Sequence, residues 1–189
     1  GPTGPCGPDT EIFYWVGAGM PPAGSNKGTD SANWMEIWNN VFMQFNRVDE
    51  KTLVKLPKQN VDTGMGLERT VTVLQGKTSV YQTEIFRPII AAIGAAAGYA
   101  YGSDPDSALG AEKDRSVRIV ADHVRSATFI IGDPKGVLPS NVGAGYVLRR
   151  LIRRAVRHGR KLGIEGAFLG TPAAVVIDNF KGAYPELEE

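Results

Sequence analysis

The chain has 189 residues, 42% hydrophobic and 22% charged, with a formal net charge of +1. That composition suits one ordinary globular domain or two small ones and excludes a wholly disordered chain, and no apolar run approaches the roughly 20 residues of a membrane helix. A single cysteine, Cys6, excludes an internal disulfide and points to a reducing compartment, hence the cytoplasm; with two histidines beside it, no zinc site is expected.

The first eight residues form a Gly/Pro turn cluster with neither initiator methionine nor signal-peptide pattern, and read as the interior of a longer protein. Thr10 to Val16 is a β-branched and aromatic run that predicts a strand, and residues 17–30 predict a loop. Glu36 to Arg47 alternates as a strand does, Ile37, Asn39, Val41, Met43 and Phe45 against Glu36, Trp38, Asn40, Phe42 and Gln44. Asn39 interrupts the more apolar face, where it is either a satisfied core amide or a ligand contact. A turn near Asp49 and Glu50 and a short strand over Leu53 to Leu56 follow.

Val61 to Arg69, Val-Asp-Thr-Gly-Met-Gly-Leu-Glu-Arg, is the densest candidate site. Gly64 and Gly66 permit unusual dihedrals and close approach of a ligand to the main chain. Leu67, Thr70, Val71 and Leu74 have helical spacing, and a helix starting here aims free N–H groups at an anion. Asp62 has the charge to hold an ammonium group, and Arg69 can fork onto phosphate oxygens. A strand-to-helix turn with a surface ion pair accounts for the same residues.

A helix is expected from Thr83 to about Ala97, interrupted at its start by Pro88. Residues 98–110 form the best linker, dividing a domain over 1–100 from one over 111–189. Lys113 to Ile131 places Val117, Val120, Ala121, Val124 and Ala127 on one helical face. After a turn-rich loop over 132–145, Tyr146 to Leu162 predicts an amphipathic helix with Leu148, Leu151, Ile152, Ala155 and Val156 inward. Between Arg149 and Lys161 lie seven basic side chains and no acidic one. Exposed helices ordinarily mix signs to relieve i,i+4 repulsion, so this face favours a polyanion, and arginine favours forked phosphate contacts. His123 reads as a packed imidazole and His158 as a helix-end residue.

Together these segments resemble the alanyl-tRNA synthetase family. The resemblance rests on Gly4-Pro-Cys-Gly-Pro8 with Thr10-Glu-Ile-Phe13, Glu36-Ile-Trp-Asn39 with Val41 to Arg47, Val61 to Arg69, Ala121-Asp-His123 with Arg125-Ser126, Pro139-Ser-Asn141, and Gly145 to Gly159. It implies an α+β fold, part of a class II antiparallel β-sheet core with flanking helices, followed by an all-α tRNA-recognition region. It implies activation of L-alanine by ATP, taken with Mg2+, to alanyl-adenylate, then transfer to the 3′ end of its tRNA. On this resemblance Asp62 and Arg69 are the catalytic pair. Asn39, Val41, Asp62 and Gly64 hold alanine, and Gly64, Gly66, Glu68 and Arg69 hold ATP. Asn141 reads the G·U wobble pair of the acceptor stem, and Arg149, Arg150, Arg153, Arg154 and Arg157 bind tRNA.

The chain departs from the family pattern in two places. Ala144 stands where an arginine is usual, and Asp133 to Gly136 is longer than the usual Asp-Gly. Class II motifs 1 and 2 have no counterpart here, so the isolated chain is expected to be catalytically incomplete, with an exposed sheet edge that invites a homodimer. The alternatives are a non-catalytic module that binds the tRNA acceptor stem and a nucleotide-binding domain unrelated to tRNA. No membrane partner is expected.

Overall fold

In the computed structural model, which describes residues 2–189, the chain is α+β and divides into two compact units, Gly1–Thr83 and Glu84–Glu189. The first holds four strands, β1 (Gly4–Cys6), β2 (Asp9–Trp15), β3 (Trp34–Arg47) and β4 (Leu53–Met65), and a short helix, α1 (Leu67–Leu74). All pairings are antiparallel and all run through β3. Trp38–Val41 is hydrogen-bonded to β2 and to β4, and Phe45–Arg47 to β1 and to β4. β1 and β2 therefore follow one another along one edge of β3, with β4 on the other.

Three sequence expectations change here. The Gly/Pro cluster contains a strand: β1 sits at the sheet edge, where a missing proline N–H does no harm. The expected short strand continues from Leu53 to Met65, so Asp62 stands within a strand and not in a turn. Pro57 and the Gly-Met-Gly segment look like breakers locally, but the chain bulges between Lys55 and Asn60 and then resumes pairing with β3. Gly64 and Gly66 both have ordinary backbone, Gly66 at φ −74° and ψ 105°, so their contribution is the missing Cβ alone.

The expected turn after β3 is present, with the Asp49 carboxylate accepting from the amides of Lys51 and Thr52, each at 2.8 Å.

The second unit is helical: α2 (Arg87–Ala97), α3 (Ala108–Gly132), α4 (Gly143–Lys161) and α5 (Gly170–Phe180). Pro88 lies in the first turn of α2, where its absent N–H has no helical partner to lose, so it opens the helix. Ile89, Ile93, Val117, Val120, Leu148 and Val176 are wholly buried and form the core. The expected face of α3 is the buried one. On α4, Leu148 and Ala155 are buried, Leu151 and Ile152 half-buried, and Val156 is exposed, so the apolar stripe is narrower than expected.

The 98–110 segment lies inside the second unit. Buried Asp114 of α3 accepts from the Tyr99 hydroxyl at 2.8 Å and the Gly102 amide at 2.9 Å, which ties this loop to the helix it precedes. α5 has no counterpart in the sequence reading.

Candidate functional site

In an antiparallel ladder, residues directly opposite one another project to the same face, as do residues two apart along a strand. The register pairs Asn39 with Gly64 and Val41 with Asp62. Asn39, Val41, Asp62 and Gly64, which lie in two stretches of sequence, thus form one four-residue patch on a single face. β2 extends it, since Glu11 lies opposite Asn39 and Asp9 opposite Val41. The Asn39 amide donates to the Asp9 carboxylate at 3.4 Å, a long contact that holds the amide across the strands. A Cβ built on Gly64 meets nothing within 4 Å, so a ligand can approach the main chain there. The patch offers carboxylates for a cation, an amide with both donor and acceptor, and an apolar methyl wall at Val41. Sequence reasoning did not find Asp9 and Glu11, because only the pairing of β2 with β3 reveals them.

At the end of β4 the chain turns directly into α1, with Gly66 at the N-cap and its amide bonded to the Ile37 carbonyl at 3.1 Å. Glu68 is half-buried in the first turn. One Arg69 terminal nitrogen donates to both the carbonyl and the carboxylate of Glu36, each at 3.1 Å. Glu36 therefore aims Arg69 along β3, and the rest of the guanidinium fork keeps donors for an anion. Glu36 is a third residue that sequence alone did not mark.

In the second unit, Arg150, Arg153, Arg154 and Arg157 are exposed along α4, and none has a carboxylate partner among the described residues. Lys161 pairs with Glu112 at 2.6 Å, and Arg160 donates to the Ile164 carbonyl at 2.9 Å. Arg149 is half-buried, and its guanidinium and that of Arg150 lie 5.6 and 5.8 Å from the Tyr146 ring. The arginines border a groove of about 690 Å³. The Ser116 hydroxyl and His158 Nδ1 are 3.1 Å apart, and burial, then Arg154, Lys161 and Arg157, hold the His158 imidazole below its ordinary pKa.

Asn141 is exposed on the loop before α4. The loop is folded back on the helix start: the Ser140 amide donates to the Gly145 carbonyl at 3.0 Å, and a Cβ at Gly145 would stand 2.5 Å from the Leu138 carbonyl oxygen. Only glycine lets the loop lie this close, so Gly145 sets where Asn141 is presented. Ala144 is exposed, and the longer 133–136 stretch closes as a turn, with the Gly136 amide on the Asp133 carbonyl at 2.6 Å.

Residues 1–189 match the family described as tRNA synthetases class II (A). Among curated proteins, the alanine–tRNA ligase of Treponema denticola is 56% identical over 191 residues, covering 100% of this chain and 30% of the ligase. That of Treponema pallidum is 56% identical with the same coverage, and that of Acidithiobacillus ferridurans 53% identical over 99% of this chain and 20% of the ligase. The chain thus spans about a fifth to a third of the length of these relatives.

Proposed function

The chain belongs to the class II tRNA synthetase (A) family, and from that premise we propose that it is a segment of an alanine–tRNA ligase, contributing part of the alanine and ATP site and a surface for the tRNA acceptor stem. The observation that carries the reading is the β3–β4 register, which gathers Asn39, Val41, Asp62 and Gly64 on one sheet face.

In this reading the Asp62 carboxylate takes the alanine ammonium, Asn39 makes a second polar contact, and Val41 walls the methyl group. Arg69, aimed by Glu36, meets the terminal phosphate of ATP, taken as its magnesium complex, beside Gly64, Gly66 and Glu68. Attack of the alanine carboxylate on the α-phosphate needs no protein nucleophile, so these groups act by position and fixed charge. One methyl separates alanine from glycine and gives a pocket only about 1–3 kcal/mol of discrimination. On α4, Arg149, Arg150, Arg153, Arg154 and Arg157 neutralise acceptor-stem phosphates, and Asn141 reads the G·U pair through the shallow minor groove of RNA. The activation core corresponds to residues 1–100 and the tRNA-recognition region to 111–189.

Two measurements test this. Binding of a G·U minihelix by the 189-residue chain, set against a G·C control at two salt concentrations, should show a wobble preference that survives higher salt; equal and steeply salt-dependent binding would remove the role of Asn141. Alanine-dependent ATP–pyrophosphate exchange by the isolated chain should fall far below that of an intact ligase, and a comparable rate would overturn its catalytic incompleteness.

A further inference from the structure

Asn39 and Asn40 are neighbours on β3 whose amides are held in different ways. The Asn40 amide, on the opposite face of the sheet, accepts from the Trp38 indole at 2.8 Å and is fixed by its own strand. The Asn39 amide is held from outside β3. Its Nδ2 donates to the Asp9 carboxylate of β2 at 3.4 Å, and its Oδ1 has no hydrogen-bond partner among the described residues. The contact is diagonal, since Asp9 stands opposite Val41 and Glu11 opposite Asn39.

A carboxamide has nearly the same shape in its two flipped states, so its partners choose between them. A carboxylate only accepts, and it therefore takes the NH2 end of the amide and repels the oxygen end. Asp9 thus draws the NH2 to the β2 side of β3 and turns the oxygen away. On the other side of β3 lies β4, with Gly64 opposite Asn39 and Asp62 opposite Val41. Gly64 has no side chain to fill the space beside the amide, and a Cβ built there meets nothing within 4 Å. Two strand spacings, about 10 Å, separate Asp9 from Asp62 across the sheet, so Asp9 acts through the amide and not on a cation held at Asp62.

We infer that Asp9 is a positioning residue: it holds the Asn39 carboxamide with its oxygen toward the ligand, so that the alanine ammonium meets two acceptors, Asn39 Oδ1 and the Asp62 carboxylate. Turned over, the same amide would set its NH2 against the ammonium, donor against donor. The inference rests on the alanine reading of this patch and adds to it a residue that touches no substrate.

The test is pyrophosphate exchange by the ligase that carries this segment, with the KM for alanine and the KM for ATP measured separately. Asp9→Leu removes the acceptor and should raise the alanine KM about fivefold while the ATP KM stays within about twofold. Asp9→Asn keeps an acceptor oxygen there without the charge and should recover most of the loss. On an Asn39→Ala background, Asp9→Leu should add less than about twofold. Should Asp9→Leu not fold, Asp9→Ala makes the same comparisons. The inference is overturned if Asp9→Leu leaves the alanine KM unchanged, or if Asp9→Asn is as poor as Asp9→Leu, which marks an effect of charge. It is overturned equally if the loss is undiminished without Asn39, or if both KM values rise together, which marks damage to the sheet. Asn39→Ala with an unchanged alanine KM would overturn the alanine reading of the patch as well.

Discussion

Asp62 is exposed and paired across the sheet with Val41, so nothing in the fold depends on its charge. Asp62→Asn, made in the ligase that carries this segment, should therefore leave the melting transition within about 0.5 kcal/mol. On the proposed function, loss of the ammonium partner should weaken alanine by about 2–5 kcal/mol, read in the KM for alanine in pyrophosphate exchange. A large drop in stability with unchanged KM would make Asp62 a structural residue. His158 behaves in the opposite way, since its environment acts on its proton. Its folded pKa is lowered, chiefly by burial and then by Arg154, Lys161 and Arg157, so near and below the ordinary value of about 6.5 the unfolded chain holds a proton the folded chain lacks. Stability should fall as the pH drops from 7.5 to 5.5, and urea midpoints of His158→Gln should lack this part of the decline. A bound polyanion cancels the arginine field, so RNA binding should take up protons at His158 and tighten as the pH falls.

On the proposed function, the α4 arginines that lack a carboxylate partner among the described residues act through charge count. Arg153→Ala should weaken all RNA sequences alike and lower the slope of log affinity against log salt by about 0.7–1. A sequence-selective loss with the slope intact would place Arg153 on a base instead. Gly159 shows how tightly the other side of this helix is packed: it is buried, and a Cβ there would overlap the Phe168 ring. Gly159→Ala gains up to about 1 kcal/mol of helix propensity but overpacks at a cost of about 1–3 kcal/mol, so the urea midpoint should drop. The long helices were legible in the sequence because their apolar period is strong and nothing local contradicts it. β4 beyond Leu56 was not, because Pro57 and Gly64 break the local pattern while pairing with β3 over Asn60–Met65 decides the conformation. α5, Gly-Thr-Pro-Ala-Ala-Val-Val-Ile-Asp-Asn-Phe, has too few polar residues to show a face, and its helicity follows from packing on α2 and α3.

For the whole molecule, the residue types of Val61–Arg69 marked it as a candidate site, but its assembly with β3 was not legible, since register is a relation between strands. Glu36 beside Arg69 appears only once β4 is laid along β3 and turns into α1, and Asp9 and Glu11 beside Asn39 and Val41 only once β2 is. Among the described residues β4 pairs with β3 alone, and its outer edge is guarded over only half its length, by Lys55, Pro57 and Lys58. Dimerisation through the remaining half, Asn60–Met65, would show as concentration-dependent sedimentation of the isolated chain, abolished by Val61→Lys; a constant monomer would remove the edge as an interface.

The four residues of the sheet patch all lie in the β3–β4 hairpin, whose two strands are joined by the short turn at Asp49–Thr52. Closing so short a loop forfeits little chain entropy, and contacts near in sequence form early. The patch thus has a folding order built into it. Amides of Asn39, Val41, Asp62 and Gly64 should gain protection in pulsed hydrogen exchange together, and ahead of those of Gly4–Cys6, whose partners are the far end of β3.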